Sequence, residues 1–181
     1  MPAQEKTVPI QDQARESQVI TLFGLTPNPD RLGPDAFDEM GNPYELKSTT
    51  VSGVGTGRDV SLKMIKRWLT RYWLISRGKN FKSGFQIEQV YFLHPDDIAG
   101  RLLEIGAQIA PDLKLRNTVL EKLKDEISKE ALGRVKYLMS RGATLNNPKI
   151  SWKYIVTNGT LIDQDHQRRL KKLVKARPII S

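Results

Sequence analysis

The sequence predicts a mixed α/β fold, in which a central β-sheet is flanked by helices. Residues 85–93, FQIEQVYFL, alternate between apolar and polar side chains as a strand does, and residues 72–76 form a short apolar run. Residues 12–25 and 111–139 instead carry apolar side chains at helical spacing. With 181 residues, 39% of them hydrophobic and 27% charged, the composition is typical of a globular protein. We therefore expect a single domain over residues 1–181.

The N-terminal third predicts a helix followed by a hairpin. Residues 12–25 place their apolar side chains on one helical stripe. A loop is expected at residues 26–34, TPNPDRLGP, because prolines and glycine interrupt regular structure there. Residues 35–38 and 44–51 are expected to be two strands that pair around a Gly-Asn-Pro turn.

The middle of the chain predicts a loop, a helix and two strands. Residues 52–59, SGVGTGRD, read as a glycine-rich mobile loop, and residues 61–70 as a helix. Residues 72–76 and 85–93 are the two strands. Three aromatic side chains of this part are expected in the core, namely Trp68, Tyr72 and Trp73.

The C-terminal half is expected to be mainly helical. A helix begins after His94, because the proline that follows is tolerated in a first turn, and residues 111–139 are helical throughout. Residues 146–159 predict a turn and a short strand, WKYIV, and residues 167–177 a basic helix. Apolar residues of the long helical part recur every seven positions, at Leu113, Leu120 and Ile127. That stripe packs either against the core or against a second subunit.

Charge and composition narrow the class of protein. Lys and Arg outnumber Asp and Glu by 29 to 20, a net charge of +9, which favours a polyanionic partner such as nucleic acid. A soluble basic protein without such a partner is the alternative. There are no cysteines, so disulfides and thiolate sites are excluded. No apolar run is long enough to span a bilayer, and no signal peptide is evident, so we expect a cytoplasmic protein.

The predicted hairpin brings two carboxylates and an ammonium group together. Alternate residues of a strand share a face, so Glu45 and Lys47 point one way, whereas Tyr44 and Leu46 point the other. In a symmetric hairpin Asp35 lies directly across from Glu45, with Cβ atoms about 5 Å apart.

Two adjacent carboxylates repel each other unless a cation lies between them. Mg²⁺ suits such a place, because it takes oxygen ligands and needs only one or two carboxylates. It lowers the pKa of a water nucleophile, which Lys47 could orient or deprotonate. The pattern predicts metal-assisted hydrolysis of a phosphodiester. An incidental ion pair on a surface hairpin is the alternative.

The motif formed by Pro34-Asp35 and Glu45-Leu46-Lys47 resembles the PD-(D/E)xK nuclease motif. Three blocks, in the same order, are similar to the PvuII-like type II restriction endonucleases. They are D…QVITLFGLT, DAFDEMGNPYELKS and NNPKISWKYIVTNGT, and they cover roughly two-fifths of the chain. The resemblance implies the restriction-endonuclease-like fold and a homodimer that uses Mg²⁺ to cut both DNA strands at a short palindromic site, leaving 5′-phosphate ends.

The resemblance also implies roles for individual residues. Asp35 and Glu45 match the family's metal-binding carboxylates, and Leu46 the residue whose carbonyl group assists them. Lys47 matches the lysine beside the attacking water. A DNA methyltransferase acting on the same site and a bacterial or archaeal host belong to the same implication.

Candidate base-reading residues come from two segments. Asn146 and Asn147 match an asparagine pair of the family, and an Asn amide can pair with adenine in the major groove. The family's histidine tract is absent, and GTGRDVSLK stands in its place. Arg58 and Asp59 are the candidates there, for guanine and cytosine, with an exposed salt bridge as the alternative. Asp12 matches a family residue near the minor groove, or it caps a helix.

Two segments have no counterpart in the family: a helical insertion near residues 112–139 and a basic helix near residues 164–177. Further contacts with the DNA backbone or minor groove are expected from four cations, or else these are solvated surface charges. They are Lys149, Arg168, Arg169 and Lys172.

Two other functions fit part of the sequence. A repair nuclease or junction resolvase would share the fold and the motif, and a DNA-binding protein without catalysis would share the charge. The two histidines, His94 and His166, do not have the spacing of a metal pair, which argues against a zinc site.

Overall fold

The computed structural model of the chain describes residues 11–30 and 33–179, and it describes only the backbone of residues 11–13 and 138–142. These residues form six helices and eight strands. The helices are α1 (Gln11–Phe23), α2 (Leu62–Trp68), α3 (Pro95–Leu123), α4 (Lys129–Gly142), α5 (Trp152–Asn158) and α6 (His166–Ala176). The strands are β1 (Thr26–Pro27), β2 (Ala36–Phe37), β3 (Pro43–Thr49), β4 (Gly53–Gly55), β5 (Tyr72–Phe81), β6 (Gly84–Leu93), β7 (Lys149–Ser151) and β8 (Thr160–Leu161).

Six strands form the central sheet, in the order β1-β2-β3-β5-β6-β8. Only β3 and β5 pair in parallel, and the other neighbours in this sheet are antiparallel. A parallel pair needs a crossover connection, which here runs through β4 and α2. The predicted fold class, a mixed sheet flanked by helices, is confirmed.

The sheet is covered on both faces, because the side chains of β5 are apolar on both sides. Trp73 and Ile75 pack into a cluster with residues of α2, α3 and α5. Tyr72 and Leu74 pack on the other face, against α1 and α6. A strand buried on both faces reads as a continuous apolar run, which explains why this strand was recognisable in the sequence. Trp68, the third aromatic expected in the core, is 3% exposed.

Two local predictions are wrong. The segment WKYIV is not a strand but lies in α5, where the hydroxyl of Ser151 accepts a hydrogen bond from Tyr154 N at 3.2 Å and caps the helix. Residues 52–59 are not only loop, because β4 pairs in antiparallel register with β7. Both errors concern short elements whose partners lie far away in the chain.

The boundaries of the long helices also differ from the predicted ones. α3 runs without interruption from Pro95 through Pro111 to Leu123, and α4 begins only at Lys129. Ile127 therefore lies between the two helices, and the predicted stripe with seven-residue spacing does not follow one helix. The start of α3 is as predicted, since His94 is its N-cap.

Within the part of the chain that the structure describes, no helix combines the length and apolar character needed to cross a membrane.

The β5–β6 hairpin depends on a glycine at its bulge. The register of the two strands shifts between Arg77 and Gly78, and a Cβ atom at Gly78 would overlap the carbonyl oxygen of Gln86. Because that oxygen belongs to the backbone of the paired strand, the overlap could be relieved only by a shift of one strand against the other.

We expect Gly78→Ala to lower the free energy of unfolding by about 1–3 kcal/mol, the usual cost of inserting a carbon into a packed site. Gly133→Ala is the matched control. It adds the same carbon to α4, where nothing lies within 4 Å, and should stabilise the protein by about 0.5–1 kcal/mol. Chemical denaturation of both variants measures the difference, and equal effects would contradict the packing argument.

Candidate active site

The β2–β3 hairpin sets two carboxylates opposite each other. Ala36 pairs with Tyr44, and Asp35 N donates a hydrogen bond to the Tyr44 carbonyl at 2.9 Å. Continuing this register by one residue puts Asp35 across from Glu45, as predicted. Tyr44 and Leu46 are fully buried in the cluster on the other face of the sheet.

The ammonium group of Lys47 lies among three oxygen-bearing groups. Its Nζ is 2.8 Å from Glu45 Oε1, 3.0 Å from the Leu46 carbonyl oxygen and 3.6 Å from Asp35 Oδ2. Asp35 Oδ2 also accepts a hydrogen bond from Leu46 N at 2.7 Å. The site thus gathers two carboxylates, one carbonyl group and one cation within a few ångströms.

A second cation holds the other oxygen of Glu45. Arg71 donates from Nη1 to Glu45 Oε2 at 2.7 Å, and both residues are buried, at 7% and 4% exposure. Arg71 directly precedes β5, and β5 runs parallel to β3 with Tyr44 opposite Tyr72. The strand pairing therefore carries Arg71 to the carboxylate.

The protonation states follow from this crowding. Burial alone would lower the pKa of Lys47, but Glu45 and Asp35 together raise it above its usual value, so the ammonium form persists at neutral pH. Burial raises the pKa of Asp35, and Glu45 adds to the rise, while Lys47 opposes it. A charged Lys47 favours the orienting role over the deprotonating one, which the sequence left open.

A cavity of about 270 Å³ opens beside these groups. Trp68, which was expected in the core, lies in its wall. The cavity is lined by residues of the hairpin, of the segment that follows β4, of α2 and of the turn before β5. They are formed by Gly33, Asp35, Glu45, Lys47, Thr56, Met64, Arg67, Trp68 and Arg71.

The two segments predicted to read bases lie next to each other. Val60 and Leu145 form an antiparallel bridge, with a hydrogen bond in each direction. Asn147 N donates to the Gly57 carbonyl at 2.9 Å, and the Asn147 side chain lies directly over Gly55. Residues 85 or more apart in sequence thus share one backbone frame.

Arg58, Asp59, Asn146 and Asn147 are all exposed on this frame. A second cavity, of about 370 Å³, joins it to the carboxylate site. Lys47 and Ser48 line one side of that cavity, and Arg58 and Asn147, from the segments predicted to read bases, line another. The remaining walls are Glu16, Val54, Gly55, Thr56 and Gly57.

Other predicted contact residues lie elsewhere. α6 packs through Leu170 into the cluster that contains Tyr44 and Leu46, on the sheet face opposite Glu45 and Lys47. Its cations are therefore not brought to the carboxylate site. Arg169 is paired with Asp163 at 3.0 Å.

Arg168 and Lys172 line a shallow cavity on α6 itself. Lys149 is exposed on β7, beside the segments predicted to read bases. Asp12 lies in α1, and its side chain is outside the described residues.

Sequence reasoning missed Arg71 and Arg67. Arg67 lies in a helix and Arg71 directly precedes a strand, and the apolar residues around them are typical of ordinary core elements. A lone arginine at the start of a buried strand was the available signal. Its meaning depends on which strand pairs with β3.

The raised pKa of Asp35 makes a prediction about stability. Folded Asp35 holds its proton more tightly than the unfolded chain does, so the folded state loses stability as pH rises above the unfolded value of 3.8 and through the folded pKa. Asp35→Asn does not titrate and should escape this loss. We expect its melting temperature, in chelator, to exceed that of the wild type at pH 7.

The advantage of Asp35→Asn should shrink as the pH falls toward 4. Asp163→Asn, at an exposed carboxylate, is the control and should show no comparable gain. A difference that does not vary with pH would refute the linkage.

Comparison with known families assigns the chain. The family described as "Restriction endonuclease PvuII" matches residues 7–109, more than half of the 181 residues. The matched range includes the hairpin, α2, Arg71 and strands β5 and β6, and it ends before the Asn146-Asn147 segment. The chain belongs to the PvuII restriction endonuclease family.

Proposed function

We propose that the protein is a type II restriction endonuclease that hydrolyses both strands of duplex DNA at a short palindromic site. One observation carries the proposal. Asp35, Glu45, the Leu46 carbonyl group and Lys47 converge, and Lys47 also lines the cavity that Arg58 and Asn147 line. A phosphodiester could lie at the carboxylates while its neighbouring bases face the recognition segments.

The residues present fit a hard divalent cation. Lys47 Nζ already lies where two carboxylates and a carbonyl oxygen converge, so a positive charge is favoured there. No group of three or more His, Cys, Asp or Glu side chains suited to a metal occurs among residues 11–30 and 33–179. Two carboxylates with one carbonyl group match Mg²⁺, which keeps several waters. When bound, Mg²⁺ would lower the pKa of a water and stabilise negative charge on the phosphate.

The residues of the chain divide the remaining work. Asp35, Glu45 and the Leu46 carbonyl group would hold the cation. Lys47, as an ammonium group, would orient the attacking water and offset the charge that develops on the phosphate. Attack at phosphorus breaks the bond to the 3′ oxygen, which leaves 5′-phosphate and 3′-hydroxyl ends.

Recognition and assembly complete the proposal. The net charge of +9 favours binding to a polyanion, and Asn146, Asn147, Arg58 and Asp59 offer the donors and acceptors that read base edges. Cutting both strands of a palindrome suits a homodimer with one site per subunit. A DNA methyltransferase specific for the same site would protect the host.

The first experiment is digestion of phage and plasmid DNA with Mg²⁺, comparing the wild type with Lys47→Ala. We expect discrete fragments from the wild type and at least a hundredfold lower rate from the variant, because the water loses its orienting cation. Lys153→Ala, which removes an exposed lysine of α5, is the control and should cut normally. Sequenced fragment ends supply the site and the stagger.

Other outcomes would identify the alternatives. A smear, or preferential cutting of branched DNA, would indicate a nonspecific or repair nuclease. Retarded migration in a gel-shift assay without cleavage would indicate a binding protein.

Base reading has its own test. With Ca²⁺ replacing Mg²⁺ to suppress cleavage, Asn146→Ala and Asn147→Ala should each weaken binding to the site found above by about 1–3 kcal/mol. Binding to a scrambled duplex should change little, because phosphate contacts dominate it. Fluorescence anisotropy measures both. Asn158→Ala, on α5, is the control, and equal losses on both duplexes would reject base reading.

A further inference from the structure

We propose that Arg71 is a positioning residue, which fixes the Glu45 carboxylate in the orientation that the reaction requires. This inference rests on the proposed nuclease function. Arg71 holds Oε2 of Glu45 at 2.7 Å, which presents Oε1 to the point where Lys47 Nζ lies. At that point the Leu46 carbonyl oxygen and Asp35 Oδ2 also converge.

The turn that carries Arg71 is itself held in place. Arg71 N donates to the Trp68 carbonyl at 3.3 Å, and Trp73 Nε1 donates to the same oxygen at 3.2 Å. Trp73 lies opposite Glu45 in the parallel β3–β5 register. The guanidinium group is planar and stays charged, so its hydrogen bond defines a direction as well as a distance.

The two carboxylates are therefore restrained in the same way. Asp35 is held through Oδ2 by the backbone N–H of Leu46, and Glu45 is held through Oε2 by Arg71. Each carboxylate thus has one oxygen held by a donor other than Lys47, whose ammonium group lies on the side of the remaining Glu45 oxygen. A free carboxylate could rotate and bind a cation through both oxygens, so the restraint would select one-oxygen binding by Glu45.

Arg71→Met keeps the length of the side chain but removes the donor. We expect kcat at saturating Mg²⁺ to fall at least tenfold. Affinity for Ca²⁺ in the absence of DNA, measured by calorimetry, should be retained or increased, because a cation no longer competes for Glu45. A residue needed only for folding would instead lose Ca²⁺ affinity and kcat together.

Two further variants sharpen the test. Arg71→Lys restores an N–H donor without the planar geometry and should recover part of the lost kcat, with KM unchanged. Arg177→Met removes another arginine–carboxylate pair, with Asp97 at 2.8 Å, and should leave kcat unchanged. Melting temperatures of all variants report whether they are folded.

The outcomes separate this inference from the proposed function. No cleavage by the wild type overturns the nuclease proposal itself. Cleavage by Arg71→Met within threefold of the wild type overturns only the role of Arg71. A more than tenfold loss of Ca²⁺ affinity in Arg71→Met also overturns it, since Arg71 would then serve to build the site.

Discussion

The parallel pairing of β3 with β5 is the constraint on which the rest of the structure depends. It places a strand buried on both faces at the centre of the sheet, so each face can support its own layer of helices. It also sets Trp73 beside Glu45 and brings Arg71 to the carboxylate. The crossover that the pairing needs includes α2, which supplies a wall of the candidate site.

Burying four charges side by side is costly unless each has a partner. Asp35, Glu45, Lys47 and Arg71 balance to zero net charge, and every one of them contacts an opposite charge. Removing one member of a buried pair typically costs about 3–5 kcal/mol, because its partner stays buried and unpaired. The buried Glu45 and Arg71 charges are therefore stable only together, whereas Asp35 is more exposed and depends less on its partner.

The sequence predicted correctly those parts of the fold and the site that depend on residues close together in the chain. The hairpin register follows from a turn and two strands only a few residues long, so Asp35, Glu45 and Lys47 could be placed together. The long helices and the central strands follow from periodicity. Arg71 could not be assigned, because only the pairing of β3 with β5 brings it to Glu45, 26 residues away in sequence.

The wrong predictions have several origins. The residues WKYIV suit a strand by composition, but a serine cap and the burial of Ile155 favour a helix. The residues around Gly53–Gly55 look unstructured until β7, almost a hundred residues later, pairs with them. Helix α3 continues through Pro111, since its buried residues lie before that point and hold the helix to the sheet.

The pairing of β4 with β7, and of Val60 with Leu145, has a consequence for how such a protein can diverge. The backbones of the two exposed segments are fastened together, so lengthening either one would displace both. Side-chain exchange at Arg58 or Asn146 leaves the frame untouched. Helices α3 and α4 lie between these two segments, and their outer ends are joined to the rest of the fold. The turn that connects the two helices, at residues 124–128, can therefore vary in length. Natural variants should therefore accumulate insertions in that turn and point substitutions on the frame.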